Sequence, residues 1–145
     1  MNKLVYIFIL FALSAASHSE PYVYTNGSYK FEASNNEECY GLGTSSPMLS
    51  VCLNHFKNLS LNKLNSSYDK LLSNLIRDKN ELVKAQEKWE EFAKLQCQFE
   101  ARASKASSKP YNAYTEMFNI CIDKLREERT AYLKKIDTGC AACVQ

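Results

Sequence analysis

The sequence predicts an all-α protein: a three-helix up-down-up bundle stapled by disulfides, behind an irregular N-terminal segment. Three observations lead there. Gly and Pro are scarce, at four and three in 145 residues, which disfavours a turn-rich β fold. Three long stretches repeat apolar residues at steps of three and four, the period of one helix face. Six cysteines follow an N-terminal segment of export type, so a modest core can be reinforced by cross-links.

That first segment carries Lys3, then an uncharged apolar run from Leu4 to Leu13, then Ser14, Ala15, Ala16 and Ser17. A basic start, a short apolar run and small residues read as a secretory signal peptide over 1–19, too short to span a membrane as a helix. Cleavage is open between the positions after Ala16, Ser17 and Ser19. No later stretch approaches spanning length. The expected location is secreted or periplasmic.

Residues 20–45 are polar and irregular. Within them Tyr22-Val23-Tyr24 and Tyr29-Lys30-Phe31 flank Asn26-Gly27, a pair that tolerates positive φ at both central turn positions. Two readings stay open there, a β-hairpin or a loose extension.

The helical domain is expected over 46–137. Ser45-Ser46-Pro47 is a helix start, with a hydroxyl cap followed by proline in the first turn. The stripe that follows is Leu49, Cys52, Leu53, Phe56, Leu64, Tyr68, Leu71, Leu72 and Leu75. Leu59 and Leu61 fall off it, so a kink or break is open near Asn58 to Asn62. Asp78 to Asn80 marks the first turn.

The second helix carries Leu82, Gln86, Trp89, Ala93 and Cys97 on one face, with Ala85, Phe92 and Gln96 widening the stripe. Trp89 is the one tryptophan and is expected in the bundle interior. Glu87, Lys88, Glu90, Glu91 and Lys94 form the opposite, charged face, and Glu90 to Lys94 is a favourable i,i+4 pair. This helix should fade near Ala103. Ser104 to Lys109 is a linker closed by Pro110.

The third helix is expected from about Tyr111 to Ile136, on a stripe of Tyr114, Met117, Phe118, Cys121, Ile122, Leu125, Arg129, Tyr132 and Ile136. Gly139 suits a C-cap. Residues 138–145 form a tail. Counting from the turns puts Tyr68, Gln86 and Arg129 at one height. A buried amide needs partners, and a guanidinium offers only donors, so the Gln86 carbonyl can accept from Arg129 and the Tyr68 hydroxyl can join them. Snorkelling of Arg129 to solvent is the competing reading.

The cysteines are Cys39, Cys52, Cys97, Cys121, Cys140 and Cys143. Helix heights place Cys97 about four residues from the level of Cys121, within the roughly 4.4–6.8 Å Cα reach of a disulfide. Cys39 then falls to Cys52, and Cys140 and Cys143 remain, joined to each other or left as a reducible tail pair. A break in the first helix would favour Cys52–Cys121 with Cys39–Cys97 instead.

Catalytic chemistry finds little support. His18 belongs to the export segment, leaving His55 for base work. Cys52 and His55 lie three apart, but an oxidised cysteine is no nucleophile. Cys140-x-x-Cys143 sits in a tail rather than at a helix start, so a structural disulfide is the preferred reading over redox chemistry. No phosphate loop or zinc spacing occurs, and neither cofactor nor metal is expected. A net charge of +2 carries no nucleic-acid footprint, and without Lys3 it falls to +1. The chain is expected to be a non-enzymatic protein that acts through a protein partner, with its oligomeric state left open.

Four ordered pieces carry a family resemblance. They are Cys39 with Cys52; Leu64-Asn65-x-x-Tyr68; Gln86-x-x-Trp89 followed by Phe92 and Cys97; and Cys121, Arg129 and Leu133. Together they resemble the LprI-type lysozyme inhibitors, small exported helical domains. Leu61, Ala93-Lys94 and Arg126 depart from the family pattern, which more often has an acidic residue, Arg-Asp and threonine at those places. The resemblance implies a helical fold held by Leu64, Asn65, Tyr68, Gln86, Trp89 and Arg129. It further implies a lysozyme or related peptidoglycan hydrolase as partner. An envelope interaction module without a lysozyme partner is the alternative.

Overall fold

The computed structural model describes residues 20–43, 46–104 and 113–139. The signal-peptide reading of 1–19, the linker and the Cys140–Cys143 pair lie outside the described residues. Two short strands, β1 (Tyr22–Asn26) and β2 (Tyr29–Ala33), precede a 3-10 turn at Glu38–Leu42. Three long helices follow: α1 (Pro47–Asn74), α2 (Lys79–Ser104) and α3 (Ala113–Gly139).

Of the two readings for the front segment, the hairpin is the one observed, in a different register. Asn26 pairs with Tyr29, so the central turn residues are Gly27 and Ser28 rather than Asn26 and Gly27. Only Gly27 has positive φ, at 60°, as in a turn with glycine at its first central position. Ala33 is fully buried, and Tyr22 and Phe31 pack with Leu49, Leu53 and Leu59 around the cluster of Ala33, Cys39, Cys52 and Phe56. An isolated two-stranded hairpin is marginal in water. Here it docks on the start of α1, and the Cys39–Cys52 bridge fixes the chain just behind it, with Cα atoms 5.8 Å apart.

α1 begins as its residues dictate. The Ser46 hydroxyl accepts from the Met48 N–H at 3.2 Å, and Pro47 occupies the first turn. The helix then runs unbroken through Asn58 to Asn62. Its buried positions are Cys52, Phe56, Ser60, Leu64, Ser67 and Leu71, an uninterrupted helical period. The apolar pattern weakens there because a serine, not a leucine, faces inward. Asp78 turns the chain into α2 with φ of 59°, a left-handed conformation that Asp adopts more readily than most residues. Its carbonyl accepts from the N–H groups of Glu81 and Leu82.

α1 and α2 each pack mainly against α3, which is therefore the central helix. A second bridge, Cys97–Cys121, ties α2 to α3 with Cα atoms 5.5 Å apart. The core between the helices gathers Leu64, Leu71, Leu75 and Leu133, with Tyr68, Leu82, Trp89 and Ile136 packed around them. Trp89 meets this cluster but is only partly buried, so it edges the interior rather than filling it. Phe92, read as widening the inward stripe, is 53% exposed. Met117 and Tyr132 on α3 are likewise exposed. The cause is geometric: an α2 that packs chiefly on one neighbour buries a narrow face, and residues at its margin stay in solvent.

Candidate interaction site

Two polar arrangements join the helices, one on each side of α3. The first lies toward α2. Arg129 donates from Nε to the Gln86 carbonyl oxygen at 3.1 Å, across the helix pair. Gln86 is buried and donates from Nε2 to Glu90 at 3.1 Å, so Glu90, read from the sequence as a partner for Lys94, serves the amide. The Arg129 guanidinium lies 5.7 Å from the Trp89 ring centre and 5.6 Å from that of Tyr132. Stacking between two aromatic faces suits a planar, weakly hydrated cation. Burial pulls the Arg129 pKa down, opposed by the charge of Tyr132, though a guanidinium stays protonated.

Tyr68 packs on the leucine cluster at this end, and its hydroxyl is pushed above the usual tyrosine range. Burial is the largest cause, followed by the charges of Asp69, Glu87 and Glu90. Leu64 is buried, whereas Asn65 faces solvent. On the outer surface Lys88 pairs with Glu91 at 2.8 Å. That contact raises the Lys88 pKa and lowers that of Glu91.

The second arrangement lies toward α1 and the front segment. Asp123 is buried on α3 and accepts from three groups: the Ser60 hydroxyl at 2.7 Å, Arg126 Nη1 at 3.1 Å, and the Asn36 side-chain amide. A buried carboxylate needs such partners, and here α1, α3 and the 3-10 approach each supply one. The Ser60 hydroxyl also lies 3.0 Å from the Lys57 carbonyl of its own helix. Above this knot opens a cleft of about 380 Å³, lined by Asn35, Asn36, Lys63, Asp123, Lys124 and Glu127 among others. Nearby, the Tyr40 hydroxyl donates to Glu116 at the start of α3. Burial first, then the Glu116 charge and that hydrogen bond, push the Tyr40 pKa far above its usual value.

The structure thus brings Gln86, Trp89 and Arg129 together and places Tyr68 beside the same core. The Asn36–Ser60–Asp123–Arg126 knot escaped the reading of the sequence. Its signal was a second period on α3: Asp123, Thr130 and Leu133 are all buried, with Arg126 between them, about a third of a turn from the Cys121 and Arg129 face. A helix with two neighbours carries two buried stripes, and only one had been traced. The Cys52 sulfur is committed to its disulfide, which removes the Cys52–His55 nucleophile reading. The His55 ring nitrogen instead sits 3.2 Å from the Glu20 carbonyl. Among the described residues no group of three or more His, Cys, Asp or Glu is placed to hold a metal, and no helix is long and apolar enough to cross a membrane.

A disulfide-stapled three-helix bundle, with polar knots where the helices meet and a hairpin at one end, defines a small helical domain. The chain belongs to the LprI lysozyme inhibitor family, whose model matches residues 33–133. The match covers α1, α2 and α3 as far as Leu133, with both bridges and both polar knots, and begins at the last residue of β2. Comparison with curated proteins and with solved structures gives no match.

Proposed function

We propose that the protein is an exported, non-catalytic inhibitor that binds a lysozyme or related peptidoglycan hydrolase and blocks its cleft. The observation that carries this reading is the family match across 33–133. Two disulfides within that span suit an oxidising compartment, which supports a secreted or periplasmic location. Blocking a cleft calls for a rigid projection. The β1–β2 hairpin offers one: Val23 and Tyr29 are 47% and 51% exposed, and Tyr24 meets Tyr29 edge-on near the tip. Tyrosines present large amphipathic contact area at low entropic cost. The Ser104 to Lys109 linker is the other candidate contact.

The test is lysis of cell-wall substrate by several lysozyme classes, titrated with oxidised mature protein. Saturable slowing supports the reading; neither inhibition nor binding in any class defeats it. In that event the protein acts as an envelope or secreted interaction module. Its balance of 18 basic and 16 acidic residues favours that second reading, because it provides no electrostatic steering toward a basic lysozyme.

A further inference from the structure

α2 carries a second apolar face that no described element of the bundle covers. Phe92, Leu95 and Phe99 are 53%, 58% and 72% exposed, spaced i, i+3 and i+7. At 100° per residue they fall within an arc of about 60°. The inward residues Gln86, Ala93, Cys97 and Ala101 lie on a different side. An exposed apolar stripe at this period is the seam of a helix pair, and such a patch marks an association surface.

We propose that a second copy of this chain occupies this face, with α2 pairing antiparallel to the partner's α2 about a two-fold axis near Gln96 and Cys97. The charges at the ends of the stripe argue for this occupant. Glu91 stands just before Phe92 and Arg102 three residues after Phe99, so the stripe has an acid at one end and a base at the other. Antiparallel pairing sets Glu91 opposite the partner's Arg102, and the two-fold repeats the contact at the other end. In that register the partner's Phe99 falls at the height of Lys94, between Phe92 and Leu95. The two Leu95 side chains then sit near the axis, and the six apolar side chains alternate along the seam. A parallel pair would instead set Glu91 against the partner's Glu91 and Arg102 against the partner's Arg102. One helix seam is smaller than the interface of a permanent dimer, so association should depend on concentration.

Sedimentation equilibrium of the oxidised mature protein, up to about 1 mM, tests this. Wild type should move from monomer toward twice the monomer mass. Leu95→Glu should stay monomeric with an unchanged thermal melt, since the residue lies in solvent. Glu91→Arg and Arg102→Glu should each weaken association about tenfold by setting like charges together, and the double variant should return to within about threefold of wild type. A wild-type monomer throughout overturns the proposal. So does a double variant as weak as the singles, or a Leu95→Glu variant that still dimerises.

Discussion

Asp123 is a tightly held charge of the described residues. Its carboxylate satisfies the Ser60 hydroxyl, the Arg126 guanidinium and the Asn36 amide, and its side chain is 9% exposed. Truncation would leave a largely buried guanidinium and an amide without their acceptor. Asp123→Ala should therefore cost about 3 kcal/mol, the lower end of the range for breaking a buried pair, and Asp123→Asn less. Urea melts measure this, and a loss below about 1 kcal/mol for the alanine variant would mean that water replaces the carboxylate readily. Tyr40 gives a pH signature. The fold raises its pKa above the unfolded value near 10, so the protonated phenol is favoured in the native state. That contribution is fully present below about pH 10 and is lost as pH rises toward the folded pKa. Tyr40→Phe keeps the ring and cannot ionise. Thermal melts at alkaline pH should show wild type losing stability more steeply than Tyr40→Phe, and parallel pH curves would remove the Glu116 contact. Sequence reasoning reached Gln86 and Arg129 because an amide in an apolar stripe demands a partner. It missed Asp123, because a charged residue off the traced stripe looks like solvated surface.

At the level of elements, the helices were legible and their margins were not. Ser46-Pro47 announces α1, and the described ends of all three helices fall within a few residues of those expected from capping and period. The apparent weakness near Asn58 to Asn62 was Ser60, a polar residue inward-facing because Asp123 waits opposite. The same three-four spacing that drew Phe92 into the inward stripe of α2 could not tell an edge from an interior, since exposure depends on how many neighbours a helix has. Continuity of α1 matters for the bridges, because the helix heights that favour Cys97 with Cys121 hold only without a break. Cys97–Cys121 closes a loop with a sequence separation of 24 residues around a linker, so it restricts the unfolded chain as well as fastening α2 to α3. Loop-closure entropy assigns such a bridge about 3 kcal/mol. Replacing both cysteines by serine should lower the urea midpoint accordingly, measured against wild type with all other cysteines oxidised. An unchanged midpoint would show that core contacts alone hold the pair.

For the whole molecule, the proposed inhibition turns on which part would meet a hydrolase. The family match starts at Ala33, so the hairpin tip lies outside the matched span. The tip is separable from stability. Tyr22 and Phe31 pack against the buried cluster, while Tyr29 stands in solvent and Tyr24 touches it from the opposite strand. Replacing Tyr24 and Tyr29 together by serine removes the projecting aromatic surface and leaves the docked half of the hairpin in place. If the hairpin enters the cleft, the double variant should raise the half-inhibitory concentration at least tenfold, about 1.4 kcal/mol of binding, with the helical melt unchanged. Inhibition that survives intact would move the contact to the bundle itself or the linker, and would tie the activity to the part that the family shares. A chain so close to neutral should also inhibit with little dependence on salt, since shape and aromatic contact, not long-range attraction, would carry the complex. Inhibition that collapsed between low and physiological ionic strength would point instead to a local charged patch, with Glu87, Glu90 and Glu91 on α2 the acidic residues to reverse first.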